Sequence, residues 1–98
     1  MNHGCFISYA GEDLERATRL HAALTGAGLR AWIDTHNLSP GAEWRSAVEE
    51  AIEAADALTF LVSRSSLRSE HCRAELRHAR AHGKAILLLE PVRDAPSL

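Results

Sequence analysis

The sequence predicts an α/β domain with a doubly wound parallel sheet. Short, nearly continuous apolar runs alternate with amphipathic segments, in the order β-α-β-α-β-α-β. Strands that are apolar on both faces are typical of a parallel sheet that helices cover on both sides. The 98 residues suffice for one small domain. We therefore treat residues 1–98 as one domain, with a core at about 4–90 and a tail or truncated end at 91–98.

Each predicted element has a local signal. Apolar runs predict four strands, at Cys5–Ser8, Leu29–Ile33, Ala57–Val62 and Ala85–Leu89. Apolar residues at helical spacing predict three helices, at about Asp13–Thr25, Glu43–Ala55 and Ser69–Ala81. The fifth strand and helix that such domains usually have are not apparent before residue 98.

The helix ends follow from residue type. Asp13 is the expected N-cap of the first helix, and Gly26 and Gly28 end that helix. Gly83 ends the third helix. We expect loops at about residues 35–42 and 63–68.

Composition excludes several classes of partner. The net charge of −2 predicts no binding to nucleic acid or to an anionic membrane. No apolar run approaches the roughly 20 residues of a membrane span, and no secretory signal begins the chain. We expect Cys5 and Cys72 to be reduced and partly buried, which predicts a cytoplasmic protein.

Several chemistry-bearing residues follow predicted strands. In a parallel sheet the loops after the strands meet at one edge, where open α/β folds bind ligands. We therefore expect one crevice lined by five side chains: Tyr9, Asp34, Trp44, Ser63 and Glu75.

The order of these motifs resembles a Toll/interleukin-1 receptor (TIR) domain of the bacterial, NAD-cleaving type. The resemblance covers about residues 4–90 and rests on five segments: Phe6-Ile7-Ser8-Tyr9 with Glu12-Asp13, Gly28 to Asp34, Gly41 with Trp44, Ser63, and Ser69-x-x-Cys72-x-x-Glu75-Leu76. It implies a flavodoxin-like sheet of strand order 2-1-3-4, to which a fifth strand is usually added.

The resemblance also implies an activity. In enzymatic relatives a glutamate of the third helix cleaves NAD⁺ at the nicotinamide–ribose bond, and Glu75 has that position. NAD⁺ is then the substrate, and neither a cofactor nor a metal is expected. The implied substrate-binding residues are Ser8, Tyr9, Ala10, Asp34, Gly41, Trp44, Ser63 and His71.

The resemblance further implies an assembly. Relatives associate with other TIR domains through the loop after the second strand, here residues 34–42. Relatives also usually occur beside a sensor or receptor segment, so we expect a missing sensor domain or partner chain.

One carboxylate suffices for the implied reaction. Nicotinamide is cationic in NAD⁺ and departs as a neutral molecule, so it needs little help from a general acid. The ribosyl centre that remains resembles an oxocarbenium ion, which a nearby carboxylate stabilises. Capture by water gives ADP-ribose, and capture by the adenine of the same molecule gives a cyclic isomer.

Two departures from the family pattern bear on the substrate. Ala10 and Gly11 follow Tyr9 where relatives often carry basic residues. The pyrophosphate would then meet another arginine, either from a neighbouring molecule or from the candidates Arg45, Arg64 and Arg68. His71 replaces the tryptophan that many relatives place against the ligand.

Structural roles stay open for several of these residues. Tyr9 also suits a packing role, and Asp34 suits the start of a turn. Gly41 suits a backbone conformation that the loop needs. Trp44 lies on the apolar stripe of the second helix, which favours the core over the cleft.

The third helix carries a stripe of titratable residues on one face: His71, Glu75, His78 and His82. A His78-x-x-x-His82 pair with Glu75 has zinc-ligand spacing, although a solvated stripe is the favoured interpretation. Protonated histidines near Glu75 would make activity depend on pH at about 6 to 7.

Other functions remain as alternatives or are excluded. A non-enzymatic TIR–TIR interaction module in signal transduction is the main alternative. A phospho-receiver domain needs an aspartate at the end of the third strand, where Ser63 follows that strand. A P-loop is excluded because the chain has no Gly-x-x-x-x-Gly-Lys-Ser/Thr run.

Overall fold

The computed structural model describes residues 4–33 and 42–91, with side chains described from residue 45 onward in the second range. In these ranges, four strands form one parallel sheet in the order β2-β1-β3-β4. The strands are β1 (Gly4–Ser8), β2 (Arg30–Ile33), β3 (Ala57–Leu61) and β4 (Ala85–Leu89). Both the predicted fold class and the predicted strand order are confirmed.

Helices connect the strands. They are α1 (Leu14–Gly26), α2 (Ala42–Ala54), α3 (Arg64–Arg68) and α4 (Glu70–Ala81), and a short 3₁₀ turn, Gly11–Asp13, precedes α1. Three of these helices match the predicted ones to within one or two residues. None of the helices in the described residues is long and apolar enough to cross a membrane.

The helix α3 corrects the expected loop at residues 63–68. Ser63 Oγ accepts a hydrogen bond from the backbone N–H of Ser66, and Ser66 Oγ accepts one from the backbone N–H of Ser63. This reciprocal capping satisfies two amide groups that a helix start otherwise leaves unpaired, so a single turn is stable there.

A serine begins α4, and glycines follow α1 and α4 as the sequence predicts. Ser69 caps α4 by accepting a hydrogen bond from the Cys72 amide. Gly28 and Gly83 lie after α1 and α4 with φ of 88° and 68°, a conformation that glycine adopts without steric cost. The amides of Leu29 and Lys84 then bond back to the last turns of the helices, as in Schellman motifs.

The sheet separates two cores. Phe6, Leu58 and Phe60 face α2 and α4, where they pack with Ile52 and Cys72. The alternate strand residues Ile7 and Leu61 face α1, where they pack with Ala17. Side chains alternate across a strand, so neighbours in β1 belong to different cores.

Gly4, the first residue of β1, is required by close packing. A Cβ atom at this position would lie 2.2 Å from the ring of Trp32 on the neighbouring strand. The Gly4 amide also donates a hydrogen bond to Asp56 Oδ2 at 2.9 Å. The start of β1 is therefore held between β2 and the turn that precedes β3.

Both cysteines are free thiols, as expected. Cys72 is buried in α4, and Cys5 is half-buried with its Sγ 2.9 Å from Thr59 Oγ1.

Candidate active site

Glu75 is a buried carboxylate with two defined neighbours. It is 4% exposed, in the middle of α4. Ser8 Oγ, at the end of β1, donates a hydrogen bond to Glu75 Oε1 at 2.6 Å. His71 Nε2, one helical turn before Glu75, lies 2.9 Å from Oε2. A hydroxyl from the sheet therefore bonds one carboxylate oxygen, and an imidazole from the helix lies beside the other.

Local structure explains this arrangement. Ser8 follows Phe6 by two residues in β1, so both side chains point to the face that α4 covers. His71 and Glu75 are four residues apart, which places them side by side on one face of a helix. A buried polar group is costly unless it is hydrogen-bonded, and the Ser8 hydroxyl reduces this cost.

A cleft between α2 and α4 opens at Glu75. Its volume is about 420 Å³, within the roughly 300–1,000 Å³ of small-molecule sites. The wall from α2 consists of Arg45, Val48, Glu49 and Ile52. The wall from α4 consists of Glu70, His71, Ala74, Glu75, Arg77 and His78. The cleft thus combines a small apolar floor with charged groups of both signs.

The charged side chains at the cleft include one ion pair. Arg77 donates a hydrogen bond to Glu70 at 2.8 Å. This bond lowers the pKa of the exposed Glu70 carboxyl below its usual range, and the charges of Arg77 and Arg73 add to the shift. Arg45 is exposed on the opposite wall. Two arginines thus line the cleft, and one of them, Arg77, is paired with Glu70.

The comparison with protein families gives a clear match. The family model described as "TIR domain" matches residues 5–97. The chain belongs to the TIR domain family. No curated protein sequence is significantly similar to it.

Solved structures with this fold include other TIR domains. The TIR domain of the Toll-related receptor TRR-2 from Hydra magnipapillata is 22% identical, with a TM-score of 0.75; the match covers 94% of this chain and 74% of that one. The TIR domains of the activated Roq1 resistosome are 21% identical with a TM-score of 0.72, over 91% of this chain and 57% of that one.

The fold also occurs in an N-glycosidase. A CMP N-glycosidase, BcmB, from Clostridium botulinum is 19% identical with a TM-score of 0.68, over 96% of this chain and 74% of that one. At these identities the likeness establishes the shared fold. It does not transfer an activity to this TIR domain.

The structure brings some of the predicted site residues together. Glu75, Ser8 and His71 come together, and Glu75 and His71 line the cleft directly. Ala10 is buried in the core on the same face of the sheet, without lining the cleft. Of the three predicted pyrophosphate arginines, Arg45 lines the cleft.

Tyr9 lies elsewhere, which corrects the expectation that it shares a crevice with Glu75. It is 1% exposed and packs with Ile7 and Leu61 in the core under α1. The reason is strand alternation, because Ser8 points toward α4 and its neighbour must point to the other face. This position supports the packing role that the sequence left open.

Ser63 also lies away from the cleft, contrary to the expected crevice. Its hydroxyl donates a hydrogen bond to Asp13 Oδ2 at 2.5 Å, while it caps α3. Asp13 is therefore tied to α3, and its side chain makes no capping bond to α1, which corrects the predicted N-cap.

Arg16 completes this second polar group. Its guanidinium lies 3.3 Å from Asp13 Oδ1 and donates hydrogen bonds to the backbone carbonyls of Val62 and Leu89. The network joins α1 to the ends of β3 and β4, so its role is structural.

Three predicted substrate-binding residues lie wholly or partly outside the described residues. Asp34 and Gly41 lie outside the described residues, as does the association loop 34–42 except for the backbone of Ala42. Trp44 belongs to α2 by its backbone, and its side chain is outside the described set.

The histidine stripe of α4 divides into two groups. His71 contacts Glu75, whereas His78 Nε2 lies 2.8 Å from Glu53 Oε2 on α2. His82 also lies next to Glu53, at 3.7 Å. The less favoured grouping, Glu75 with His78 and His82, is not formed, because His78 and His82 lie next to Glu53 instead.

Sequence reasoning missed two residues of the cleft, Arg77 and Glu49, and also Glu53, which contacts His78. Arg77 follows Glu75 by two residues, and no sequence pattern at this position indicates that it lines the cleft. Glu49 and Glu53 lie on the polar face of α2, a pattern that is usual for a solvated helix.

Proposed function

We propose that this TIR domain cleaves NAD⁺ at the nicotinamide–ribose bond, with Glu75 as the catalytic carboxylate. The observation that carries the proposal is the burial of Glu75 in the wall of a cleft, with one oxygen bonded to Ser8 and the other beside His71. A carboxylate held in this way is preorganised, so it can stabilise positive charge that develops next to it.

The reaction requires only groups that the cleft provides. The bond between the anomeric carbon of the ribose and the nicotinamide nitrogen breaks, and both electrons leave with neutral nicotinamide. The ribosyl centre becomes cationic, and the Glu75 carboxylate stabilises it. Water then adds to the same carbon and releases a proton, which gives ADP-ribose. Capture by the adenine ring instead of water gives a cyclic isomer.

The remaining charges suit the rest of the substrate. Glu49 and Glu70 line the cleft with Glu75 and favour the cationic nicotinamide ring. Arg45 and Arg77 are the arginines of the cleft that can meet the pyrophosphate. His71 provides the ring beside the carboxylate, in place of the tryptophan of many relatives.

Fold neighbours add support. The CMP N-glycosidase BcmB acts, by its name, on an N-glycosidic bond, which is the type of bond that joins nicotinamide to ribose. A 2-desoxiribosyltransferase from Leishmania mexicana is 23% identical, with a TM-score of 0.71 over 90% of this chain and 64% of that one. By its name, it transfers a deoxyribosyl group.

Assembly is the second part of the proposal. The Roq1 TIR domains were solved within an activated resistosome, and the resemblance implies association through residues 34–42. We expect self-association to raise the activity of this chain, in cytoplasmic defence signalling. A non-enzymatic interaction module is the alternative, and it predicts association without NAD⁺ turnover.

The test measures loss of NAD⁺ and formation of nicotinamide by chromatography, over a range of protein concentrations. Glu75→Gln keeps the shape of the side chain and removes its charge, so cleavage should fall by about 10²–10³-fold. Glu15→Gln is the matched control, since Glu15 is exposed on α1 and pairs with Arg19.

Two outcomes count against the proposal. Equal rates for Glu75→Gln and the parent would show that Glu75 takes no part in the reaction. No turnover by the parent, even in concentrated or tethered assemblies, would favour the interaction module.

A further inference from the structure

A second cluster of ligand-type side chains joins α2 to α4. Glu53 Oε2 lies 2.8 Å from His78 Nε2 and 3.7 Å from His82 Nε2. The three ligand atoms of the cluster all lie within 4.8 Å of one another. We propose that this chain binds one zinc ion at this point, through Glu53, His78 and His82. The inference does not rest on the proposed cleavage of NAD⁺, because Glu75 is not part of the cluster.

The distances suit a tetrahedral ion. Zinc bonds to histidine nitrogen and carboxylate oxygen are about 2.1 Å long, so neighbouring ligand atoms lie roughly 3.4 Å apart. The two observed distances to Glu53 lie on either side of this value. Small rotations of exposed side chains suffice to equalise them, since His82 and Glu53 are 43% and 45% exposed at their side chains.

The histidines have the spacing and the support of metal ligands. His78 and His82 are four residues apart on α4, with ring centroids 4.3 Å apart, so both rings project from one face of the helix. His82 Nδ1 lies 3.0 Å from the backbone carbonyl of His78, an acceptor to which it can only donate. The proton of neutral His82 is then on Nδ1, and Nε2 presents its lone pair toward Glu53.

His78 has a carboxylate near its outer nitrogen, at a distance longer than a hydrogen bond. Its Nδ1 lies 3.6 Å from Glu49 Oε2, one turn before Glu53 on α2. A carboxylate next to the outer nitrogen orients a ligating imidazole and raises its basicity. Without the ion, His78 Nε2 donates a hydrogen bond to Glu53 Oε2, because a carboxylate only accepts. Zinc takes the place of this proton, and neutral His78 then carries its proton on Nδ1, next to Glu49.

The charges around the cluster also balance. Two neutral imidazoles and the carboxylates of Glu53 and Glu49 offset the charge of a divalent ion. Two nitrogens and one oxygen are a donor set that suits zinc. Lys84 Nζ donates a hydrogen bond to the backbone carbonyl of Glu53 at 2.6 Å, which fixes the last turn of α2 next to α4.

The consequence concerns the cleft. Its two walls are α2 and α4, and His78 belongs to the wall of α4. An ion held by both helices ties these walls together. Three protein ligands leave a fourth position for water.

The experiment titrates zinc chloride alone into the tag-free, chelator-dialysed chain by isothermal calorimetry. We expect one zinc per chain. Zinc at about 100 times its dissociation constant should raise the Tm by roughly 10–20 °C. His82→Gln and Glu53→Gln should each weaken binding by at least about 10-fold, as loss of a supporting partner already does at metal sites.

His21→Gln is the matched control, because it removes a histidine of α1 outside the cluster and should bind zinc like the parent. Circular dichroism of the variants without metal verifies their fold. A parent that takes up no zinc overturns the proposal. Zinc uptake that His82→Gln and Glu53→Gln leave unchanged overturns it as well, since the ion would then lie elsewhere.

Discussion

Two serine–carboxylate pairs lie at the carboxyl edge of the sheet, on opposite faces. Ser8 donates to Glu75 under α4, and Ser63 donates to Asp13 near α1, at 2.6 and 2.5 Å. Both acids are buried, Glu75 at 4% and Asp13 at 8% exposure. The pairs are chemically alike, so the surroundings of the second carboxylate oxygen decide what each can do.

The second oxygens differ clearly. Asp13 Oδ1 faces Arg16, which also binds the backbone carbonyls at the ends of β3 and β4. Its charge is used in joining structural elements. Glu75 Oε2 faces His71, and both residues line an open cleft. A buried acid therefore indicates function when its surroundings include space for a ligand.

The largest expected effect is a crossover between the two acids. Glu75→Gln should remove most NAD⁺ cleavage, as stated above, with little change in the free energy of unfolding. Asp13→Asn should leave the cleavage rate within about threefold and lower the free energy of unfolding by about 1–3 kcal/mol, because it weakens a charge-assisted network. Urea unfolding and NAD⁺ assays of both variants measure this. If Asp13→Asn abolished cleavage in a folded protein, the division of roles would be wrong.

Substitution of the two donor serines tests whether the first pair serves catalysis and the second serves stability. Ser8→Ala removes the hydrogen bond to Glu75 and should lower kcat by about tenfold, with a smaller change in KM. Ser63→Ala loses the cap of α3 and should cost about 0.5–2 kcal/mol of stability with kcat unchanged. Steady-state kinetics and thermal melts of the pair give the comparison. Equal losses of kcat in both would indicate a general structural effect.

His71 sharpens the comparison through pH. Histidine is the side chain whose charge can change within the physiological pH range, and the His71 ring lies 2.9 Å from Glu75 Oε2. His71→Gln keeps a side chain of similar polarity that does not titrate there, and we expect the pH profile of kcat to flatten across this range. His21→Gln, on α1, should keep the parent profile. An unchanged profile in His71→Gln would assign the pH dependence to another group.

The smallest effect concerns a third carboxylate, Glu70, which is exposed at the cleft. Arg77 lowers the pKa of Glu70 mainly through its hydrogen bond. A lowered folded-state pKa adds stability above the unfolded-state pKa, and this stability is lost as pH falls through the folded-state pKa. Arg77→Gln should therefore raise the pKa of Glu70 toward its usual range, with only a slight change in stability at about pH 4.

Carboxyl NMR titration measures the pKa of Glu70 in Arg77→Gln, and Arg19→Gln is the control. No shift in Arg77→Gln would show that the ion pair does not form in solution.

Much of the fold could be predicted because its signals are local. The apolar strands, the helical stripe of α2 and the glycines after α1 and α4 each follow from side-chain type and spacing. The position of Glu75 next to the end of β1 followed from topology combined with the family resemblance. The capping serines of α3 were not recognised, since Ser63-x-x-Ser66 lacks the usual Glu or Gln at its third position.

Strand alternation, which the sequence contains, also separates Tyr9 from Ser8. The expectation of one common crevice follows from the shared edge of the sheet alone. It neglects that residues at this edge point to two different faces. A crevice on one face can receive alternate residues of a strand, so Ser8 reaches Glu75 and Tyr9 cannot.

By itself, the sequence determined the class of fold, the strand order through the family resemblance, and the helix that carries Glu75. These depend on period, caps and chain order, all of which are local or topological. Only the tertiary structure decided which partners meet across elements: Ser8 with Glu75, Ser63 with Asp13, and Glu53 with His78 and His82. The physical reason is that such contacts depend on the rotation and distance of packed helices, which side-chain packing sets and spacing along the chain does not encode.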